Sequence, residues 1–266
     1  MKLTMLGTGN AMVTECYNTC FLLREGEESF LVDGGGGSLI FQRLKAAGVD
    51  WKTIRHLFIT HKHVDHLMGI LWMVRMITQN MSRGGYEGEA VIYGHEEVIG
   101  LIRQMSTLLY PAKFCQFIDD RLKLQVLSDG EEFSVLGREA RAFDIGSTKA
   151  KQFGFCVYEN EKPFLTCCGD EPYNPREYPY ARETRWLLHE AFCLHGEADR
   201  FHPYEKHHST VKDACELAQE LHAQNLILYH TEDQNYPRRK ELYTAEGQQY
   251  YSGNLYVPYD LESFDL

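Results

Sequence analysis

Residues 56–66 read HLFITHKHVDH, a short apolar run that ends in His61, His63, Asp65 and His66. An apolar run of this length reads as a buried strand, and its polar end is where the chain leaves the sheet. Four such side chains at close quarters are unfavourable neighbours unless something shares their lone pairs. Imidazole and carboxylate are what a borderline-soft divalent ion such as zinc takes as ligands, usually about four around one ion. In an extended turn alternate residues point together, so His61 and His63 can grip one ion, while Asp65 and His66 turn toward a second.

Three further apolar strands end in comparable chemistry: FLTCCGD at Asp170, LLHEA at Glu190 and LILYH at His230. In sheets flanked by helices, sites collect beyond the carboxyl ends of strands. The stretches between them fit such a layout. SLIFQRLKAAG reads as an amphipathic helix stopped at Gly48, and Leu67, Ile70, Leu71, Val74 and Ile77 recur at helical spacing after the histidine cluster. FGFCVYENEKPFLTCCGD reads as a hairpin, and STVKDACELAQELHAQN as a helix capped by Ser209 or Thr210, with Asp213 completing a capping box. The four glycines at 34–37 precede no GK[ST] and do not match GxGxxG, so they read as a flexible turn after a buried strand.

With 266 residues and 44% hydrophobic content the chain can bury a substantial core. Its net charge of −11 excludes a broad basic footprint for avid nucleic-acid binding, though not a local phosphate site. Eight cysteines without a CxxC pair read as small buried hydrophobes in a reducing cytosol, so a cytoplasmic protein is expected. The N-terminus reads as a strand and a Gly-rich turn rather than a signal peptide, and no run of about 18 apolar residues predicts a membrane span.

The order LGTG, DGGGG, THKHVDH, CGD, LLHEA, HHST, LILYH resembles the metallo-β-lactamase superfamily, and the HEA and HST elements resemble its ribonuclease Z branch. The resemblance implies one hydrolase domain over 1–266 with an α+β, four-layer αββα sandwich fold. It implies that His61 and His63 bind a first zinc ion, that Asp65, His66 and His230 bind a second, and that Asp170 bridges both. Metal-activated hydroxide would then attack phosphorus, with Asp65 orienting or deprotonating the water. His208 of HST, held by Glu190 of HEA, would assist the leaving group, and the carboxylate would favour imidazolium. The expected activity is that of a metal-dependent phosphodiesterase. A sulfatase- or ester-hydrolysing member, or a non-catalytic metal-binding relative, is the alternative. Relatives of this branch are often homodimers.

The pattern breaks in two places. The family usually supplies another histidine to the first ion, just before a strand with GY or GF. Here Thr148 falls at that position, and Asp144, Thr148 or water is left to complete the shell. The first site is therefore expected to be weak, or tuned to Mn2+ or Fe. Second, ribonuclease Z members carry a long Gly/Pro-rich arm where this chain has one hairpin. A small phosphodiester, or an RNA 3′ end, is therefore expected in place of a whole tRNA. Lys149, Lys151 and the run Arg238, Arg239, Lys240 are candidate phosphate contacts, the run reading otherwise as a solvated face.

Overall fold

The computed structural model describes residues 1–266. Its strands in chain order are β1 (Lys2–Gly7), β2 (Cys20–Glu25), β3 (Glu28–Val32), β4 (His56–Phe58), β5 (Ala90–Gly94), β6 (Leu122–Val126), β7 (Glu132–Val135), β8 (Arg138–Asp144), β9 (Phe153–Glu159), β10 (Lys162–Cys167), β11 (Trp186–Glu190), β12 (Asn225–Tyr229), β13 (Asn254–Tyr256) and β14 (Ser263–Asp265). Its helices are α1 (Ile40–Ala46), α2 (Val64–Ser82), α3 (Glu96–Leu109), α4 (Ala112–Cys115), α5 (Tyr178–Ala181), α6 (Ala198–Phe201), α7 (Val211–Glu220) and α8 (Arg239–Gly247). Contacts divide the chain into two compact units: Met1–Gly7, Thr19–Ser128 and Leu261–Leu266 form one, Thr8–Asn18 and Asp129–Asp260 the other.

The first unit holds a seven-stranded sheet in the order β14-β1-β2-β3-β4-β5-β6. Its early strands pair antiparallel, and β3 through β6 pair parallel. Parallel neighbours need long crossovers, and α1, α2 and α3 lie in them. The predicted apolar stripe is the buried face of α2: Leu67, Ile70, Leu71, Val74 and Ile77 are all inside.

The second unit repeats the plan with a sheet in the order β13-β12-β11-β10-β9-β8-β7. Here β7 to β10 run antiparallel, and β10 to β13 are parallel neighbours. The predicted hairpin is β9–β10, turning at Asn160 and Glu161, which both have positive φ as a tight two-residue hairpin turn requires. The capping box is also present: Thr210 accepts from the Asp213 N–H, and the Asp213 carboxylate accepts from the Thr210 N–H. Val211, Ala214, Cys215 and Ala218 of α7 then pack into a core with Leu187, Leu226, Leu228 and Tyr243.

Two sequence expectations change. The chain does turn after β3 as expected, but Gly34 in addition serves close packing: a Cβ there would meet the Ile70 backbone N at 2.3 Å, and one at Gly69 would meet the Gly34 carbonyl at 1.8 Å. Bare backbone lets the Gly34 N–H reach the His66 carbonyl at 2.9 Å and the Gly69 N–H reach that of Gly35. The second change concerns the run at 238–240. Arg239 is fully buried, and its guanidinium donates to the hydroxyls of Thr231 and Thr8 and to the Pro258 carbonyl. It ties three segments of the second unit together and is no phosphate contact. No helix is long and apolar enough to cross a membrane.

Candidate metal centre

In the first unit the chain leaves β4 through buried Ile59 and Thr60 and reaches His61. His63 is the residue preceding α2, in extended backbone, and Asp65 and His66 follow in the first helical turn. A carboxylate there also suits the positive end of the helix dipole. Thr60 and Asp33 anchor this segment. Asp33, held at φ 56°, accepts the Thr60 N–H at 2.9 Å, the Thr60 hydroxyl at 2.8 Å and His66 Nδ1 at 2.7 Å. The Thr60 hydroxyl lies 2.9 Å from His61 Nδ1.

This network selects the histidine tautomers. The Thr60 hydroxyl gives its proton to Asp33, so it receives one from His61 Nδ1–H, and His66 Nδ1–H donates to Asp33 as well. Both rings then present Nε2 as a lone pair, which is the outer-shell arrangement that metal-binding histidines use. His61 Nε2 lies 2.8 Å from His63 Nδ1, and His66 Nε2 lies 3.3 Å from Asp65 Oδ2. Donor atoms converging in this way suit a divalent cation. Neither Asp33 nor Thr60 was identified as a site residue from the sequence, although a carboxylate closing an apolar strand before glycines was a usable signal.

In the second unit Asp170 and His230 follow β10 and β12, and Glu190 ends β11, all three being parallel neighbours in one sheet. His230 has φ 58°, and its Nε2 lies 3.3 Å from Asp170 Oδ2. The other Asp170 oxygen accepts from the side-chain amide of Gln152. The Tyr229 hydroxyl donates to the Gly169 carbonyl. Asp170 and His230 are thus brought together as a second pair of ligand-type groups, both buried.

The HEA and HST segments meet in the same unit. The Ser209 N–H donates to Glu190 Oε1, and the Phe192 N–H to the Ser209 carbonyl at 2.9 Å. That clamp sets His208 Nδ1 3.7 Å from Glu190 Oε2, with its ring stacked on Phe192 at 5.1 Å and 5°. The ring of His230 is 5.1 Å away. Burial pushes the Glu190 carboxyl well above the usual range, against the Ser209 hydrogen bonds. Burial and the neighbouring His230 push His208 down to about 3, against Asp170. The expected imidazolium is therefore not the resting form, because desolvation outweighs the attraction of one carboxylate that is itself hard to ionise.

His208 and His230 line a cavity of about 490 Å3 in this unit, with Phe192 and Phe201 as an aromatic wall and Lys149 and Lys206 among its cations. Lys149 Nζ donates to the Lys206 carbonyl. Of the two candidates for the missing imidazole, Asp144 accepts the Gly146 N–H at 2.8 Å, and Thr148 is exposed with its hydroxyl 3.3 Å from His207 Nδ1.

The family described as Anti-Pycsar protein Apyc1 matches residues 1–250. The chain is 26% identical to a ribonuclease Z of Pyrobaculum calidifontis over 99% of this chain and 97% of the relative. It superposes on the metallo-β-lactamase fold protein YhfI of Bacillus subtilis with TM-score 0.78 at 16% identity, covering 99% of this chain and 98% of that one. It superposes on human tRNase Z, short form, with TM-score 0.74 at 20% identity, covering 100% and 99%. A metallo-β-lactamase fold with paired His/Asp ligand groups is thus joined to ribonuclease Z-like sequence, and the chain is a metal-dependent hydrolase of that superfamily, belonging to the Anti-Pycsar protein Apyc1 family.

Proposed function

We propose that the protein hydrolyses a small phosphodiester, using zinc or manganese held by His61, His63, Asp65, His66, Asp170 and His230. The observation that carries this reading is the Glu190–His208 pair, whose histidine lines a cavity that also presents Lys149 and Lys206. A passive metal scaffold needs no buried carboxylate–imidazole pair beside its ligands. The two lysines suit a phosphate anion, and the aromatic wall suits an organic substituent. Relatives named ribonuclease Z and tRNase Z support phosphodiester chemistry. The two-residue turn at Asn160 and Glu161, where ribonuclease Z members carry an arm, favours a small substrate over a whole tRNA.

A divalent ion bound there supplies Lewis-acid activation of water and offsets charge on the phosphoryl oxygens. Asp65 orients the attacking water or takes its proton. Lys149 and Lys206 hold the phosphate against the cavity wall. Glu190 faces Nδ1 of His208, so His208, neutral at rest, takes up a proton beside the bound phosphate anion and then gives its Nε2 proton to the departing alkoxide. Glu190 fixes the ring and is the positioning residue.

The test is hydrolysis of bis(p-nitrophenyl) phosphate against p-nitrophenyl sulfate and p-nitrophenyl acetate, with zinc or manganese supplied. Turnover of the phosphodiester alone is expected. Preferred cleavage of the sulfate or the acetate would move the protein to the sulfatase- or ester-hydrolysing class, and no turnover of any of them would favour a binding role.

A further inference from the structure

The first ion of the proposed centre is short of a ligand. The resemblance gives it His61, His63 and Asp170, and the position of its remaining histidine holds Thr148, which is exposed and turned to His207. Asp144 is engaged with the Gly146 N–H through its own carboxylate. Gln152, four residues beyond Thr148, is different. It is 1% exposed, and its side-chain amide touches Asp170 Oδ1. The side chain lies across Gly169, where a Cβ would stand 3.0 Å from its Cδ. The glycine thus leaves room for a long amide to be pressed against the next residue, the carboxylate proposed to bridge the ions.

We infer that Gln152 supplies, through its side-chain oxygen, the first-ion ligand that the absent histidine would have provided. This rests on the metal centre proposed above. The primary amide has one oxygen and one nitrogen end of nearly equal shape, and a half-turn of the terminal torsion exchanges them. Facing a carboxylate alone, the NH2 end is the stable one. With a cation on that carboxylate, the NH2 end is repelled and the oxygen end is favoured. A neutral carbonyl oxygen is a harder, weaker donor than imidazole. It suits manganese or magnesium better than zinc. The substitution of an amide for an imidazole therefore makes the first site the weaker of two, and shifts it toward manganese.

The experiment uses chelator-stripped full-length protein titrated with Mn2+ and with Zn2+ by calorimetry, with bound metal counted by mass spectrometry. Gln152→Ala, Gln152→Glu and Gln152→His are compared, and His230→Ala reports on the centre as a whole. Thermal melts of the stripped proteins show that each variant is folded. Gln152→Ala is expected to weaken one Mn2+ site by about tenfold or more, the scale on which even outer-shell partners act, and to leave the other unchanged. Gln152→Glu should keep the site, and Gln152→His should shift it toward Zn2+. Wild-type count and affinity in Gln152→Ala would overturn the inference and leave the proposed centre standing. A gain of an ion in Gln152→Ala would also overturn it, making Gln152 a competitor for Asp170. A wild type that binds neither metal would overturn both.

Discussion

Asp33 Oδ2 accepts Nδ1–H of His66 at 2.7 Å while the same carboxylate takes the N–H and hydroxyl of Thr60, so one buried aspartate orients His66 directly and His61 through Thr60. Asp33→Asn keeps the shape and tolerates the positive φ, yet loses the charge that holds both rings in the Nδ1–H form. Metal affinity should fall about 10–100-fold, measured by competition with a chromophoric chelator. Affinity equal to wild type would show that Thr60 alone suffices.

Glu190 reaches His208 only through the clamp on the Ser209 N–H. His208→Ala should lower kcat by about 10²–10⁴-fold, with metal content unchanged by mass spectrometry. Glu190→Gln keeps the Ser209 hydrogen bond but no longer offers a carboxylate to Nδ1, so kcat should fall with little change in KM. Loss of bound metal in His208→Ala would make this residue a ligand in place of a proton donor.

Arg239 is the buried cation of the second unit, and three oxygens take its hydrogen bonds. Arg239→Met removes the donors while retaining most of the packing volume. The stranded oxygens of Thr8, Thr231 and Pro258 should cost about 3 kcal/mol or more, read from urea unfolding of the full chain. The residues after His230 lose an anchor at the same time, so substrate KM should rise as well.

Glu177 sits fully buried in the capping box of Asn174, and burial raises its carboxyl from 4.5 to about 8 against the Asn174 N–H bond. The folded chain keeps this proton where the unfolded chain releases it. Its contribution to stability is present below about pH 4.5 and is lost as pH rises toward about 8, where the folded carboxyl ionises too. Glu177→Gln should remove that part of the decline. Unfolding midpoints of both proteins at pH 5, 6.5 and 8 check this, and parallel slopes would contradict it.

Local order was legible in the sequence because it is written at short range. Apolar spacing marked α2, the Thr210–Asp213 box marked the start of α7, and polar endings marked the strands that lead to His61, Asp170, Glu190 and His230. The resemblance also left Thr148 where the family pattern has a first-ion histidine. The polar partners were not legible. Asp33 meets Thr60 across 27 positions, Gln152 meets Asp170 across 18, and Arg239 meets Thr8 across 231. Those pairings follow from which strands are neighbours in each sheet and from where bare glycine backbone allows a close approach. Periodicity sets which face of an element is buried, but only the assembled sheet decides which polar group waits on that face, so an apparent charge run held a buried arginine and an unremarked glutamine lay on the proposed bridging carboxylate.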